Sequence, residues 1–414
     1  MPLNWGYSAI RAQSIAAKLR RAGLGGKHQN LPVIYLPGIL GTKLYDRQQQ
    51  KFIWGDSGGF FARQPYEYLD SEAHRTQILA SEQLHAFTIV PGLLHTLVTA
   101  ELKRVLQTAL GYQEGQDLFF LGHDWRADHR RLADRLDAEV QRLKALFGAD
   151  QKIVLIGQSA SNLAVRYWLR NTTAENRETI AKWYSFGPPW QGTFHALSMM
   201  DTGYYAATRY LHGFSADDIA SYPSAYQLLP PNPSVIDIHG QPLKDFDIYD
   251  PQCWQHYQMG PYRASGAEVS PQCQRVRNSL GQNLLNAKAF AASIAGASPL
   301  EQTVPQVWYL SDNNQAVKAA VYHRQRWYFQ ANSILRDVPQ LASQTLAAGD
   351  DHLPLSGLLT ERCGPVVRDT HHQPWGQSYI YVSQARTHRA LINHTPNLQS
   401  LAFDLAVERQ KRLG

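Results

Sequence analysis

The sequence predicts an α/β fold in which helices cover a mostly parallel central sheet. Two observations lead to this prediction: apolar runs of strand length alternate with helical patterns, and this rhythm breaks between residues 194 and 305. The interrupted stretch is rich in Pro, Tyr, Asn and Asp, so we expect a cap inserted into the sheet core. With 414 residues, the chain is long enough for one such core and a large insertion.

The predicted elements follow the chain in order. Strands are predicted at residues 32–36, 118–122, 153–156, 183–186, 307–310 and 379–382. Helices are predicted at residues 8–22, 95–110, 130–147, 162–170 and 397–412. The domain prediction is an N-terminal helix in 1–30, the first part of the core in 31–193, a cap or lid in 194–305 and the second part of the core in 306–414.

The first predicted helix has a narrow apolar side that includes Ile10, Ile15 and Leu19, with basic residues on its other sides. We interpret it as a helix packed on the core. Peripheral contact with a membrane surface is the alternative, and the thin apolar side speaks against it.

Composition restricts the class of protein. The hydrophobic share of 44% and the charged share of 18% are those of an ordinary globular protein. The net charge of +6 is spread along the chain, so we predict no nucleic-acid partner. Three cysteines without metal-ligand spacing predict neither a metal site nor a disulfide framework, although one bridge from Cys253 to Cys273 stays open.

The N-terminus lacks a basic stretch followed by an unbroken apolar stretch, and no later run is long enough to span a bilayer. We therefore expect a soluble, cytoplasmic protein, unless it is exported without a cleaved signal or the sequence is a mature form.

The candidate nucleophile is Ser159. Residues 152–169 combine a buried strand, a turn of small residues and an apolar-periodic helix, which is the setting of a nucleophile elbow. Gly157 would allow a tight turn, and Ser159 would lie where the helix dipole favours developing negative charge. The usual pattern is G-x-S-x-G, and Ser161 replaces its last glycine. Alternatively, Ser159 only caps the helix.

The candidate oxyanion hole consists of two backbone N–H groups. Residues 31–44 form a strand that runs into a glycine-bearing loop, and such a loop supplies one donor while the residue after the nucleophile supplies the other. We assign these donors to Ile39 and Ala160. A simple Pro-Gly turn would explain the loop equally well.

The acid and the base should follow the serine in chain order. Asp350, in a Gly-Asp-Asp-His loop, is the preferred acid, and Asp312, directly after a predicted strand, is its competitor. His388 follows the last predicted strand and is the preferred base, with His394 in reserve. His123, His195 and the pair His371-His372 lack such a position and are predicted to be structural or solvated.

Assembled in order over residues 31–405, these segments resemble the lecithin:cholesterol acyltransferase family. The matching residues are 32–38 with 41–44, weakly Trp54, 111–112, 124–126, 185–193, 225–230, 349–351 with 354–355, and 388–391. The resemblance implies an α/β-hydrolase fold, lipid-ester substrates and active-site walls to which Trp54 and Trp190 contribute as substrate-binding residues. Gly157-Gln158 replaces the more usual Gly-His before the serine, which should matter little.

The predicted activity is a serine acyl hydrolase or acyltransferase such as a lipase or phospholipase, without a cofactor, acting on lipid or other acyl esters with water or an alcohol as acceptor. The sequence does not separate hydrolysis from transfer. Two alternatives stay open: a catalytically silent lipid- or partner-binding module, and an esterase or lactone-forming enzyme of secondary metabolism.

Overall fold

The computed structural model describes residues 3–25, 30–55, 67–69, 71–90, 94–97, 99–208, 211–263, 269–361, 363–368 and 374–411. The α-helices are α1 (Leu3–Arg21), α2 (Glu72–Gln77), α3 (Ala100–Leu110), α4 (His129–Phe147), α5 (Ser161–Asn171), α6 (Ala174–Glu178), α7 (Phe194–Thr202), α8 (Ala216–Ala220), α9 (Pro223–Tyr226), α10 (Pro251–His256), α11 (Pro271–Ile294), α12 (Pro299–Gln302), α13 (Ala331–Asp337), α14 (Ala342–Thr345), α15 (Leu355–Leu358) and α16 (Thr395–Gln410). Short 3-10 helices cover Gly260–Tyr262, Pro339–Leu341 and His388–Asn393.

The strands are β1 (Val33–Leu36), β2 (Thr42–Asp46), β3 (Lys51–Trp54), β4 (Ile78–Gln83), β5 (Ala86–Val90), β6 (Leu94–Leu97), β7 (Leu118–Phe120), β8 (Ile153–Gln158), β9 (Ile180–Phe186), β10 (Tyr204–Thr208), β11 (Leu211–Phe214), β12 (Ser234–Ile236), β13 (Gln306–Ser311), β14 (Asn314–Val317), β15 (Ala319–His323), β16 (Arg326–Tyr328), β17 (Leu346–Gly349), β18 (Val366–Val367) and β19 (Tyr379–Ser383).

The central sheet has the strand order β18-β19-β13-β9-β8-β1-β7, and every neighbouring pair is parallel. All six predicted strands are present, and the short β18 adds a seventh at the edge. Both faces of the sheet are covered, because alternate residues of β1 enter two different apolar clusters: Ile34 packs with α4 and α5, whereas Val33 packs with α1, α3 and α16.

The N-terminal helix uses its apolar side for packing. Ala12, Ile15 and Leu19 are buried in the cluster that includes α3 and α16, and Arg11 forms an ion pair with Glu101. Ile10, which the sequence placed on the same side, is 64% exposed, so only part of the predicted apolar side packs on the core. The alternative of peripheral contact with a membrane surface stays a prediction. Among the helices that the structure describes, none combines the length and the hydropathy needed to span a bilayer.

The helix predicted at 95–110 begins later than expected. Residues 94–97 form β6, which pairs in antiparallel fashion with β5, and α3 begins at Ala100 after Thr99. The apolar pattern continues across this junction, so periodicity alone does not locate the point where strand pairing gives way to a helix.

The third apolar cluster, called the cap cluster below, joins buried residues of α7 to α11 with buried residues from two parts of the core, one between residues 44 and 127 and one in the stretch that follows β13. In addition, β12 of the cap pairs in parallel with β15 of that stretch. The predicted domain boundaries stay a prediction. Cys253 and Cys273 are separate thiols, so the bridge that the sequence left open is not formed. Their sulfurs contact the carbonyl oxygens of Asp245 and Pro261 instead.

Candidate active site

The turn between β8 and α5 holds Ser159 in a strained conformation. Its φ is 55°, in the left-handed region that non-glycine residues rarely adopt, and its N–H donates to the carbonyl of Phe186 at 2.7 Å. The turn places Ser159 after the carboxyl end of β8 and two residues before α5 begins. The backbone around Ser159 thus has the sharp strand-to-helix turn that the sequence predicted.

Asn162 and Gly157 explain how this turn closes. The Asn162 side chain donates to the Ser159 carbonyl at 3.0 Å and accepts a hydrogen bond from the Trp183 indole at 3.2 Å. A Cβ on Gly157 would lie 2.2 Å from Asn162 Oδ1, so any other residue there would displace the Asn162 side chain from its hydrogen bonds.

Ser161, the departure from the usual motif, is buried and hydrogen-bonded. Its hydroxyl accepts from the Gln158 N–H at 2.9 Å and lies 2.9 Å from the carbonyl oxygens of Leu36 and Gln158. The hydroxyl therefore ties the end of β1 to the turn, a contact that the expected glycine could not make.

Asp350 is buried, and both of its carboxylate oxygens accept hydrogen bonds. Oδ1 accepts from the backbone N–H groups of His352 at 3.2 Å and Leu353 at 2.8 Å. Oδ2 lies 2.7 Å from His388 Nδ1. These donors hold the carboxylate in one orientation, directed at the imidazole.

His388 joins the acid to the serine, because its Nε2 lies 2.8 Å from Ser159 Oγ. Burial lowers the pKa of His388, but the charge and the hydrogen bond of Asp350, together with the charge of Asp351, outweigh it and raise that pKa above its usual value. Gly187 makes room for the ring: its φ is +58°, and a Cβ there would lie 2.6 Å from His388 Cε1.

The two reserve candidates lie elsewhere. The Asp312 carboxylate contacts Arg368 and Gln384 on the surface. His394 begins α16 as its N-cap residue, and its Nδ1 has no hydrogen-bond partner among the described residues. Neither side chain takes part in the hydrogen-bond chain that runs from Ser159 through His388 to Asp350.

The proposed oxyanion donors flank Ser159. Within the described residues, the N–H groups of Ile39 and Ala160 have no hydrogen-bond partner in the protein, and their role as oxyanion donors stays a prediction. A Cβ on Gly38 would lie 3.1 Å from Ser159 Cβ, so the glycine allows the loop to approach Ser159 closely. Leu40, with a φ of 68°, continues the loop in a left-handed conformation.

Trp54 supports this loop from behind. Its indole N–H donates to the Leu40 carbonyl at 3.0 Å, and its ring packs on Trp125 and Phe214 in the cap cluster. Its predicted role in substrate binding stays a prediction.

Trp190 lies between Trp183 and Trp308, and the Arg166 guanidinium is 4.0 Å from its ring centroid. It lines a cavity of about 810 Å³ whose described walls include neither Ser159 nor His388. The predicted role of Trp190 in substrate binding also stays a prediction.

Sequence reasoning missed three groups around the imidazole. Asp351 accepts the His388 backbone N–H at 3.2 Å, and burial raises its pKa to about 6. The rings of His352 and His195 are stacked, with centroids 3.9 Å apart. The position of His352, two residues after Asp350, was a usable signal; His195 had no comparable signal in the sequence.

These features define the class of the protein: the parallel sheet, the strand-turn-helix at Ser159 and the loops at the strand ends make an α/β-hydrolase fold. The crystal structure of the Tle4-Tli4 complex matches 93% of this chain and 99% of that chain, with a TM-score of 0.55 and 13% identity, and shows the same fold. A thioesterase domain from the curacin biosynthetic pathway aligns over 91% of this chain and 92% of its own, at 11% identity and a TM-score of 0.26, which is too low to carry an argument.

Within that class, the sequence model of the lecithin:cholesterol acyltransferase family matches residues 95–253. The predicted resemblance to this family is confirmed, and it supports an acyl hydrolase or acyltransferase. The matched stretch contains Ser159, whereas Asp350 and His388 lie beyond it. No curated protein matches the chain.

Proposed function

We propose that the chain is a serine-dependent acyl hydrolase or acyltransferase that acts on lipid-like esters through an acyl-enzyme intermediate. One observation carries the proposal: Ser159 Oγ, the two nitrogens of His388 and Asp350 Oδ2 form an unbroken hydrogen-bond chain with spacings of 2.8 and 2.7 Å. Hydroxyl, imidazole and carboxylate in this order are what nucleophilic activation of a serine requires.

In the first half-reaction, His388 Nε2 takes the proton of Ser159 Oγ as the oxygen attacks the ester carbonyl. Asp350 stabilises the imidazolium that forms. The N–H groups of Ile39 and Ala160 donate to the carbonyl oxygen as its negative charge develops. When the tetrahedral intermediate collapses, the ester bond breaks and Nε2 returns the proton to the leaving alcohol.

In the second half-reaction, water or an alcohol attacks the acyl-enzyme, and His388 Nε2 takes the proton of the attacking group. The new acid or ester leaves as Ser159 Oγ regains a proton from the imidazolium. The same residues serve both outcomes, so access of water relative to the alcohol decides between hydrolysis and transfer.

The preference for lipid-like esters is supported by the family match and by the surroundings of the serine. Ile39 and Leu40, next to the nucleophile, pack against the apolar cluster of the cap. An apolar acyl group beside the oxyanion donors would extend that packing.

The direct test is covalent labelling with a fluorophosphonate probe. Replacement Ser159→Ala should abolish labelling and lower kcat/KM for a p-nitrophenyl ester by at least about 10³-fold, because the nucleophile is gone. The matched control Ser343→Ala removes an exposed serine and should label as the wild type does. Undiminished labelling of Ser159→Ala would refute the assignment.

A second measurement compares p-nitrophenyl esters of several chain lengths with and without an alcohol acceptor. Free acid alone indicates a hydrolase, and a new ester indicates a transferase. Absence of both, with no labelling of Ser159, would indicate the silent binding module.

A further inference from the structure

The imidazole of His388 is one end of a stack of three histidine rings. The His352 ring centroid lies 5.0 Å from that of His388 in a tilted arrangement, with an angle of 31° between the planes, and the His195 ring stacks on His352 at 3.9 Å and 16°. Aromatic rings interact favourably at such separations. The stack therefore extends from the proposed triad to His352 and His195, which have no role in the proposed mechanism.

The stack is held by the backbone as well as by its rings. Thr193, the N-cap of α7, accepts the His195 N–H at 3.1 Å and donates its hydroxyl proton to the His352 carbonyl at 2.8 Å. A backbone hydrogen bond also links His352 to the acid, since the His352 N–H donates to the Asp350 carboxylate at 3.2 Å. One buried hydroxyl thus ties together the two segments that carry the outer rings.

The three rings differ in charge. Burial, then the charge of His388 and that of Arg389, lowers the pKa of His195 to about 4. Burial, then the charges of His195 and His388, lowers the pKa of His352 well below its usual value, although 26% of that side chain is exposed. The pKa of His388 is raised instead. At neutral pH, the ring that must gain a proton therefore adjoins the neutral ring of His352, on which the neutral ring of His195 stacks.

We propose that His352, supported by His195, is a positioning residue whose neutral ring face holds the His388 imidazole in the plane that joins Asp350 to Ser159 and stabilises the imidazolium. The inference rests on the proposed function. A cation beside an aromatic face is attracted to it, and this attraction is stronger where water is partly excluded. His388 is such a site, since its side chain is 11% exposed.

The titratable and charged groups around His388 come from several elements. Asp350 and Asp351 contact His388 from the acid loop, His352 follows them, His195 stacks on His352, and the charge of Arg389 acts on His195. The carboxylates dominate, so the effect of the stack is a correction to the pKa of His388 and is best measured by difference between variants.

The test replaces the ring face and keeps the carboxylates. His352→Leu removes the aromatic face, whereas His352→Phe keeps the face and removes the ring nitrogens. His195→Leu removes only the supporting ring. The matched control is His239→Leu, at an exposed histidine in a turn of the cap. The titration of His388 is followed by NMR of ¹³C-labelled histidine, with its signal assigned by loss in His388→Asn, and kcat and KM are measured on a p-nitrophenyl ester.

In His352→Leu, the pKa of His388 should fall by about half a unit, because the imidazolium loses a favourable neighbour. The acid limb of the kcat/KM profile should move down with it, and kcat should fall about three- to tenfold with KM within about twofold. His352→Phe should keep both values, His195→Leu should show a smaller change in the same direction, and His239→Leu should show none.

The proposal is overturned if His352→Leu leaves the titration of His388 unchanged, or if His352→Phe is as impaired as His352→Leu. If His352→Leu does not fold, His195→Leu decides, and a wild-type titration with a wild-type kcat in that variant would overturn the proposal. The NMR titration does not require turnover. A wild-type protein without esterase activity would therefore refute the proposed function, while the titration would still decide the role of the stack.

Discussion

Asp312 and Asp350 lie at the same strand end of the sheet, yet only one of them faces an imidazole. Asp312 follows β13 directly. Asp350 follows β17. Asn314 pairs with Gly349 in the β14-β17 ribbon, so the chain comes back at Asp350 close to the end of β13. The ribbon therefore brings Asp350 to the strand end that Asp312 also follows.

The two carboxylates differ in their donors. Asp312 contacts the side chains of Arg368 and Gln384, which are exposed and free to rearrange. Asp350 is 2% exposed and accepts from two backbone N–H groups and from His388. A carboxylate that orients a histidine therefore needs fixed donors on both oxygens, and a position next to a strand end is not sufficient.

The largest expected effect tests the difference between Asp350 and Asp312 directly. Asp350→Asn should lower kcat by about 10³- to 10⁴-fold, because an amide favours the wrong tautomer of His388 and does not stabilise the imidazolium. Asp312→Asn is the matched control and should change kcat by less than about twofold, since exposed pairs contribute little. Steady-state kinetics on a p-nitrophenyl ester measures both. A large loss in the Asp312 variant with little change in the Asp350 variant would reverse the assignment.

A smaller effect is expected where the imidazole of His388 meets the neighbouring strand end. Gly187→Ala places a methyl group 2.6 Å from His388 Cε1 at a left-handed φ, so the ring must move. We expect kcat to fall about 10- to 100-fold, because displacement by even about 1 Å disrupts proton transfer. Gly111→Ala, also at a left-handed φ but with open space around its Cβ, is the control for backbone strain. Equal losses in both variants would contradict the steric explanation.

The smallest expected effect concerns Ser161, which links two strand ends beside the nucleophile. Ser161→Gly restores the usual motif but leaves the Leu36 carbonyl and the Gln158 N–H without their hydroxyl partner. The free energy of unfolding should fall by about 1–3 kcal/mol, with kcat changed by only a few fold. Urea denaturation measures this, and Ser343→Ala controls for loss of an exposed hydroxyl. A variant more stable than the wild type would show that the hydroxyl is not needed.

Much of the fold followed from local patterns. Apolar runs with strand length predicted six strands of the sheet, and the elbow around Ser159 follows from a buried strand, small residues and an apolar-periodic helix. The start of α3 did not follow, because the apolar pattern crosses the junction between β6 and α3 without a break.

The candidate site divides in the same way. Chain order and strand ends indicated Ser159 and His388, and the loop motif favoured Asp350 while leaving Asp312 open. The stacking of His195 on His352 was not foreseen, because these two residues lie more than 150 positions apart along the chain.

The sequence by itself determined which segments are strands of the central sheet, where a strand-turn-helix surrounds Ser159, and which side chains follow the strands, because these properties depend on neighbours along the chain. Tertiary structure alone decided which aspartate meets the imidazole, that Ser161 bonds to the end of β1, and that Trp54 supports the loop at Leu40. Such contacts join residues that are distant along the chain, so the sequence pattern of one segment does not predict them.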